Sequence, residues 1–177
     1  MKKTVTVFGS SLPVEGEAEF ETAYRLGSLL AKNGFNVCTG GYQGIMNAVS
    51  KGAYENNGEA IGIMVDFWNS TPSKYLTKKI ECDTLFERIE KLMSAGDAYV
   101  ILQGGTGTLL ELAAVWEFMN KDLSPLKPAA CHSSVWSEIT SAMDKQMLKE
   151  KRKTGLIKPF DTVEEIVEFF SNELNGK

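Results

Sequence analysis

Glu111 follows the stretch ILQGGTGTLL, Ile101–Leu110, where an apolar run passes through three glycines and two threonines, Gly104–Thr108, into a helix-like pattern. Such a turn leaves backbone N–H groups free, and the start of a helix offers them to an anion. A carboxylate fixed beside that anion could act as a reagent. The spacing also has a simpler reading. Thr108-x-x-Glu111 has the form of a capping box, in which the glutamate satisfies a backbone donor for on the order of 1 kcal/mol, and spacing alone favours this cap. Arg88 lies in LFERIEKLM, where Leu85, Ile89 and Leu92 form a buried helical face. It would flank that face close to the following strand, and pattern alone reads it as a salt-bridge partner of Glu87 or another helical neighbour.

Two further turns share the character of Gly104–Thr108. Gly9, Ser10 and Ser11 end one β-branched run, and GGYQG, Gly40–Gly44, ends another. Ligands of open α/β sheets bind beyond the carboxyl ends of the strands, so three small-residue turns at strand ends point to a phosphate-bearing ligand. The first turn lacks a GxGxxG fingerprint and no acidic residue closes the second strand to hold a ribose, which argues against NAD. A Walker lysine is absent too, which leaves phosphoryl transfer from ATP without support. The single histidine, His132, ends a strand and could face the cleft, but no Ser-His-Asp or Cys-His arrangement is indicated. Phe67, Trp68 and Tyr75 could stack on a base or simply anchor a loop.

The elements that must position these residues alternate. Thr4–Gly9 reads as a strand and Glu17–Asn33 as an amphipathic helix closed by Asn33-Gly34. FNVCT is a second strand, followed after GGYQG by a helix to about Asn56, and Glu59–Val65 is a third strand. Between Asp66 and Cys82 the pattern is lost in a connection long enough to be functional. Asp83 opens a helix to about Ala95, DAYVILQ is a strand, and a helix runs from about Thr106 to Asn120. PLKPAACH is a strand, a helix starts at Val135, and LIKPF with a helix from Thr162 completes the chain. Strands alternating with helices predict an α/β fold: one doubly wound domain with a parallel sheet covered on both faces.

The 177 residues carry a net charge of −4, which argues against a nucleic-acid footprint. One basic run, Lys149, Lys151, Arg152, Lys153 and Lys158, reads as a solvated, dipole-compensating helix end. Cys38, Cys82 and Cys131 are odd in number and far apart, so with one histidine a zinc site is not expected. They read as free thiols of a reducing compartment. No stretch approaches a membrane helix or a signal peptide, and a cytoplasmic location is expected.

The motifs resemble one family. QGGTGTLLE, Gln103–Glu111, is similar to the PGGxGTxxE signature of the LOG (LONELY GUY) cytokinin-activating phosphoribohydrolases, proteins long mislabelled as lysine decarboxylases. TGGYQGIMN, Thr39–Asn47, resembles their GGGxxGLMG turn, and FGSS their CGSS turn. Phe86–Gln103 resembles the segment holding their catalytic arginine. Order and spacing agree from about Thr4 to Trp116. The resemblance implies a Rossmann-like fold and a homodimer with active sites near the subunit interface. It also implies hydrolysis of the N-glycosidic bond of a nucleoside 5′-monophosphate, AMP or a cytokinin-type nucleotide, to free base and ribose 5-phosphate.

By motif position the resemblance makes Glu111 the catalytic carboxylate and Arg88 its partner. Gly9, Ser10, Ser11, Gly104, Gly105, Thr106, Gly107 and Thr108 fall around the phosphate, and Gly40, Gly41 and Gly44 across the cleft. The carboxylate would stabilise an oxocarbenium-like state or orient water, with the arginine keeping it ionised. No metal or organic cofactor is required, and no lysine falls in the turns to form a pyridoxal Schiff base. The sequence departs from the family pattern at Gln103 (proline in the family), Ile89 (lysine), Thr39 and Asn47 (both glycine). Gln103 and Ile89 favour an alternative: a non-catalytic nucleotide or molybdenum-cofactor binder of the same superfamily.

Overall fold

A computed structural model describes residues 2–65, 70–132 and 134–175. In chain order the elements are β1 (Thr4–Phe8), α1 (Ala18–Lys32), β2 (Asn36–Thr39), α2 (Ile45–Glu55), β3 (Ala60–Val65), β4 (Lys78–Cys82) and α3 (Leu85–Ala95). They continue with β5 (Ala98–Ile101), α4 (Thr106–Asn120), β6 (Ala129–His132), α5 (Ser134–Lys149), β7 (Lys158–Phe160) and α6 (Val163–Asn175). The seven strands form one sheet in the order β4-β3-β2-β1-β5-β6-β7, and every pairing is parallel. This is the doubly wound architecture expected from the alternation, and it is Rossmann-like, as the family resemblance implies.

The physical basis is visible in β1, whose five residues TVTVF are all buried. Val5 and Val7 join the core formed with Phe20, Leu26 and Leu30 of α1, Ala48 and Val49 of α2, and Ile166 and Phe170 of α6. On the opposite face, Phe8 joins a second core with Leu92 of α3, Leu112 and Val115 of α4, and Trp136 of α5. The Thr6 hydroxyl donates to the Leu92 carbonyl on that same face. A strand buried on both sides needs apolar or satisfied side chains at every position. The chain leaves β1 for β2 on one side and returns to β5 on the other. The crevice between β1 and β5 is therefore the topological switch point, where ligands of such sheets bind.

One strand was not anticipated. The stretch expected to lack structure between Asp66 and Cys82 ends in β4, which pairs with β3 from Ile61↔Lys78 to Val65↔Cys82. Its sequence KKIEC is largely exposed, and lysines on an outer strand discourage pairing with another sheet edge. That charge also removes the apolar signature by which a strand is recognised in sequence. The C-cap at Asn33 and a left-handed Gly34 (φ 83°) end α1 as expected. The basic run is partly engaged: Arg152 Nε pairs with Glu150 at 3.1 Å, and Lys153 Nζ donates to the Met119 carbonyl at 3.3 Å.

Candidate functional site

At the crevice the three small-residue turns are joined by backbone hydrogen bonds. Ser10 N–H donates to the Gln103 carbonyl at 2.9 Å, and Ile45 N–H, opening α2, donates to the Ser10 carbonyl at 2.8 Å. Above them lies a cleft of about 470 Å³ lined by Gly9, Ser10, Ser11, Leu12, Tyr42, Met46, Ser70, Arg88, Gly105, Thr106, Gly107, Thr108 and Glu111. Both candidate reagents and most residues of the first and third turns thus share one wall-to-wall space.

The glycines divide by what surrounds them. A Cβ at Gly105 or Gly107 would meet nothing within 4 Å, so the start of α4 is bare toward the cleft. Gly40, Gly41, Gly44 and Gly104 stand behind the lining. Gly44 has φ 68° and a Cβ there would overlap the Ser10 carbonyl oxygen; Gly41 has φ 81° and faces Met64 and Gly62. At Gly104 a Cβ would overlap Thr108 Oγ1, and at Gly9 it would lie 2.5 Å from Ile45 Cγ2. These turns approach one another too closely for side chains, which is a packing requirement separate from ligand approach.

The cap expected of Glu111 does not form. Helix α4 begins at Thr106 with Gly105 as its N-cap and no side-chain cap bond, which places Thr108 at the third helical residue and Glu111 a turn beyond it. Thr108 is buried at 4% exposure. Capping occurs at the two other T-x-x-E sequences. Thr84 Oγ1 accepts from Glu87 N–H at 3.1 Å at the start of α3. Thr162 and Glu165 exchange both bonds at the start of α6. The Glu111 carboxylate faces the cleft and Arg88 instead.

Arg88 is the fourth residue of α3 and only 6% exposed. It is not paired with its neighbour Glu87, which binds Lys91 at 2.7 Å. Arg88 Nε donates to the Ile63 carbonyl of β3 at 2.8 Å, its guanidinium lies 6.0 Å from the Tyr42 ring centroid, and Nη1 is 3.6 Å from Glu111 Oε1. Burial pushes the Glu111 carboxyl up to about 7 from 4.5, with Arg88 pulling the other way. The expectation that the arginine simply keeps this carboxylate ionised is therefore revised: desolvation outweighs the cation, and the group titrates near neutrality.

Other candidates lie elsewhere. His132 Nε2 is 3.0 Å from the Asp161 carbonyl oxygen, and with Gln103 it lines a separate cavity of about 180 Å³ beside the start of α1. Ile89 is buried in the α3 core at 4% exposure, so the residue after Arg88 brings no cation to the cleft. Tyr75 packs on Tyr54, with ring centroids 6.0 Å apart. Phe67 and Trp68 lie outside the described residues. Tyr42, Met46 and Leu12 line the cleft without having been singled out; for Tyr42 the available signal was its place between the glycines of GGYQG. Among the described residues, no group of three or more His, Cys, Asp or Glu side chains is placed to hold a metal ion, and no helix is long and apolar enough to cross a membrane.

A model of the SLOG cluster4 family matches residues 2–166. The chain belongs to this family. The sequence is similar to a cytokinin riboside 5′-monophosphate phosphoribohydrolase of Mycobacterium tuberculosis, 30% identical over 116 residues, 64% of this chain and 62% of that protein. The match thus spans about three fifths of the mycobacterial protein's length. A protein of the same name from Rhodococcoides fascians is 25% identical over 173 residues, covering 88% of this chain and 87% of that one. Among solved structures, the molybdenum cofactor carrier protein of Chlamydomonas reinhardtii superposes with a TM-score of 0.78 at 21% identity over 100% of both chains. The molybdenum cofactor binding protein of Rippkaea orientalis gives 0.78 at 22% identity over 98% of both. The SLOG cluster4 chain therefore has LOG-like sequence motifs on a fold shared with cofactor carriers.

Proposed function

We propose that the cleft binds a nucleoside 5′-monophosphate and that Glu111, with Arg88, hydrolyses its N-glycosidic bond. One arrangement carries this reading: the nearly buried Glu111 carboxyl stands 3.6 Å from the buried Arg88 guanidinium, in a cleft whose floor is a bare helix start, and burial pushes that carboxyl up to about 7. Perturbed carboxyls in clefts mark candidate reagents. The phosphate lies against the amides of Gly105, Thr106 and Gly107, where the helix dipole and free N–H groups favour an anion. Ser10 and Ser11 supply hydroxyls from the first turn. With the phosphate anchored there, the ribose sits over Glu111, one helical turn further along α4. In its ionised form the carboxylate stabilises the cationic sugar as the base departs and orients the water that attacks C1′. The products are free base and ribose 5-phosphate, and no step requires a cofactor.

A second reading has support of its own: a nucleotide or molybdenum-cofactor binder that breaks no bond. Two solved structures that superpose along the whole chain are carrier and binding proteins of that cofactor, and Ile89 leaves the cleft without the second cation of the LOG pattern. Incubating the purified protein with a panel of nucleoside 5′-monophosphates and resolving free base by chromatography separates the two. Base release that Glu111→Ala or Arg88→Ala abolishes supports the hydrolase. Tight nucleotide binding with no base released rejects it in favour of the binder.

A further inference from the structure

Gly40 is buried, yet its φ is outside the left-handed region in which Gly41 (φ 81°) and Gly44 (φ 68°) lie. Its backbone conformation is open to other residues, so the demand for glycine there is one of space. That space is filled by Arg88. A Cβ on Gly40 would overlap Arg88 Nη2 and stand 2.9 Å from Cζ and 2.7 Å from Met46 Sδ. Two residues further on, the Tyr42 ring lies against the same guanidinium. Tyr42 is itself fixed at the end of β3: its hydroxyl donates to the Val65 carbonyl and accepts from Val65 N–H at 3.1 Å. The Arg88 stem is held by Nε on the Ile63 carbonyl at 2.8 Å, so β3 and the β2–α2 turn together fix the head that faces Glu111.

We infer that Gly40 and Tyr42 are positioning residues: they form the slot that holds the Arg88 guanidinium and thereby set its distance from Glu111. This deepens the proposed role of the Arg88–Glu111 pair and rests on that pair being the reactive one. It also gives a reason for glycine at Gly40 that differs from phosphate approach. The side chain at risk is the far end of a flexible arginine, so an added methyl displaces the guanidinium rather than the backbone. The open space beside it is the cleft, where water screens its charge and weakens its pull on Glu111. Among the described residues, the titratable groups near this head are Glu111 of α4, Tyr42 of the β2–α2 turn, and Cys38 of β2 and Cys82 of β4, on both of which its charge acts.

The test reads Glu111 in the ligand-free protein by carboxyl ¹³C NMR titration, with Glu111→Gln identifying the resonance. Removing the cation outright, as Arg88→Met, raises the midpoint by on the order of one pH unit or more. Gly40→Ala is expected to raise it part of the way with the native thermal transition retained, and Tyr42→Phe, which frees the ring from Val65, to raise it less. In the Arg88→Met background, Gly40→Ala is expected to add nothing. An unchanged midpoint in both Gly40→Ala and Tyr42→Phe overturns the inference, as does a Gly40→Ala shift that persists without Arg88. Because no substrate is present, failure to detect base release faults the hydrolase reading and leaves this result standing separately.

Discussion

Arg88 Nη1 stands 3.6 Å from Glu111 Oε1 with 7% and 12% of the two side chains exposed, and at that separation burial still outweighs the cation. The carboxyl, pushed up to about 7, exchanges its proton in the range where a general acid or base is useful. A group held in this state weighs against the fold, and that cost is measurable.

The cost has a definite sign. Below pH 4.5, the ordinary value for the group, Glu111 is protonated in both folded and unfolded chains and makes no pH-dependent difference. Between 4.5 and about 7 the unfolded carboxyl ionises while the folded one keeps its proton, so stability falls as pH rises. Above the folded value the loss is constant, on the order of 3 kcal/mol. Glu111→Gln lacks this dependence. Urea unfolding of both proteins from pH 4 to 8 should show the variant gaining on the native protein across that window. A difference that stays flat with pH would mean that Glu111 titrates as an ordinary surface carboxyl.

The alternation of the chain made the doubly wound sheet legible, because strands buried on two faces read as short β-branched runs and helices as periodic ones. Strand β4 was not legible, since its charged sequence serves an outer edge. The freedom of Glu111 was hidden for a related reason. T-x-x-E occurs at Thr84, Thr108 and Thr162, and local sequence alone does not tell which threonine ends up as the N-cap. At Thr108 the deciding fact is that α4 starts earlier, at the glycine turn. The glycines were visible as turns, but whether each serves a ligand, a left-handed φ or a neighbour's side chain depends on atoms far away in sequence. Gly40 and Arg88 are 48 residues apart by their numbers.

Asn47, a departure from the LOG pattern, ties the connection after β3 to helix α2. Ser73, 1% exposed, donates from Oγ to Asn47 Oδ1 at 2.8 Å, accepts from Tyr75 N–H at 3.3 Å, and donates its own N–H to the Gly41 carbonyl at 2.9 Å. In Asn47→Ala the lost bond, about 1 kcal/mol, is partly offset by alanine's better helix propensity, about 0.5 kcal/mol. Global stability should therefore move little. Amide hydrogen exchange at Ser73 and Tyr75 should nevertheless accelerate, and unchanged exchange at both would show that Asn47 does not hold this segment.

The helix that carries Glu111 also exposes Leu109, Leu110 and Phe118. The family resemblance implies a homodimer, and a partner seated on α4 near Glu111 would cover some of these side chains. Small-angle scattering should give twice the chain mass, and Leu110→Glu should shift it toward the single chain. A strict monomer at high concentration would count against an active site completed at a subunit interface.

The two kinds of glycine should respond in opposite ways to one added methyl. At Gly44 the left-handed φ and the overlap with the Ser10 carbonyl make Gly44→Ala costly, about 2–3 kcal/mol or more, seen as a lowered thermal midpoint. At Gly107 the helix is regular and the space open, so Gly107→Ala should leave stability unchanged or raise it by about 0.5–1 kcal/mol. Its methyl would stand over the amides assigned to the phosphate, and calorimetric binding of a nucleoside 5′-monophosphate should weaken by tenfold or more, about 1.4 kcal/mol. Full-strength binding by Gly107→Ala would move the phosphate away from the start of α4, and with it the placement of the sugar over Glu111.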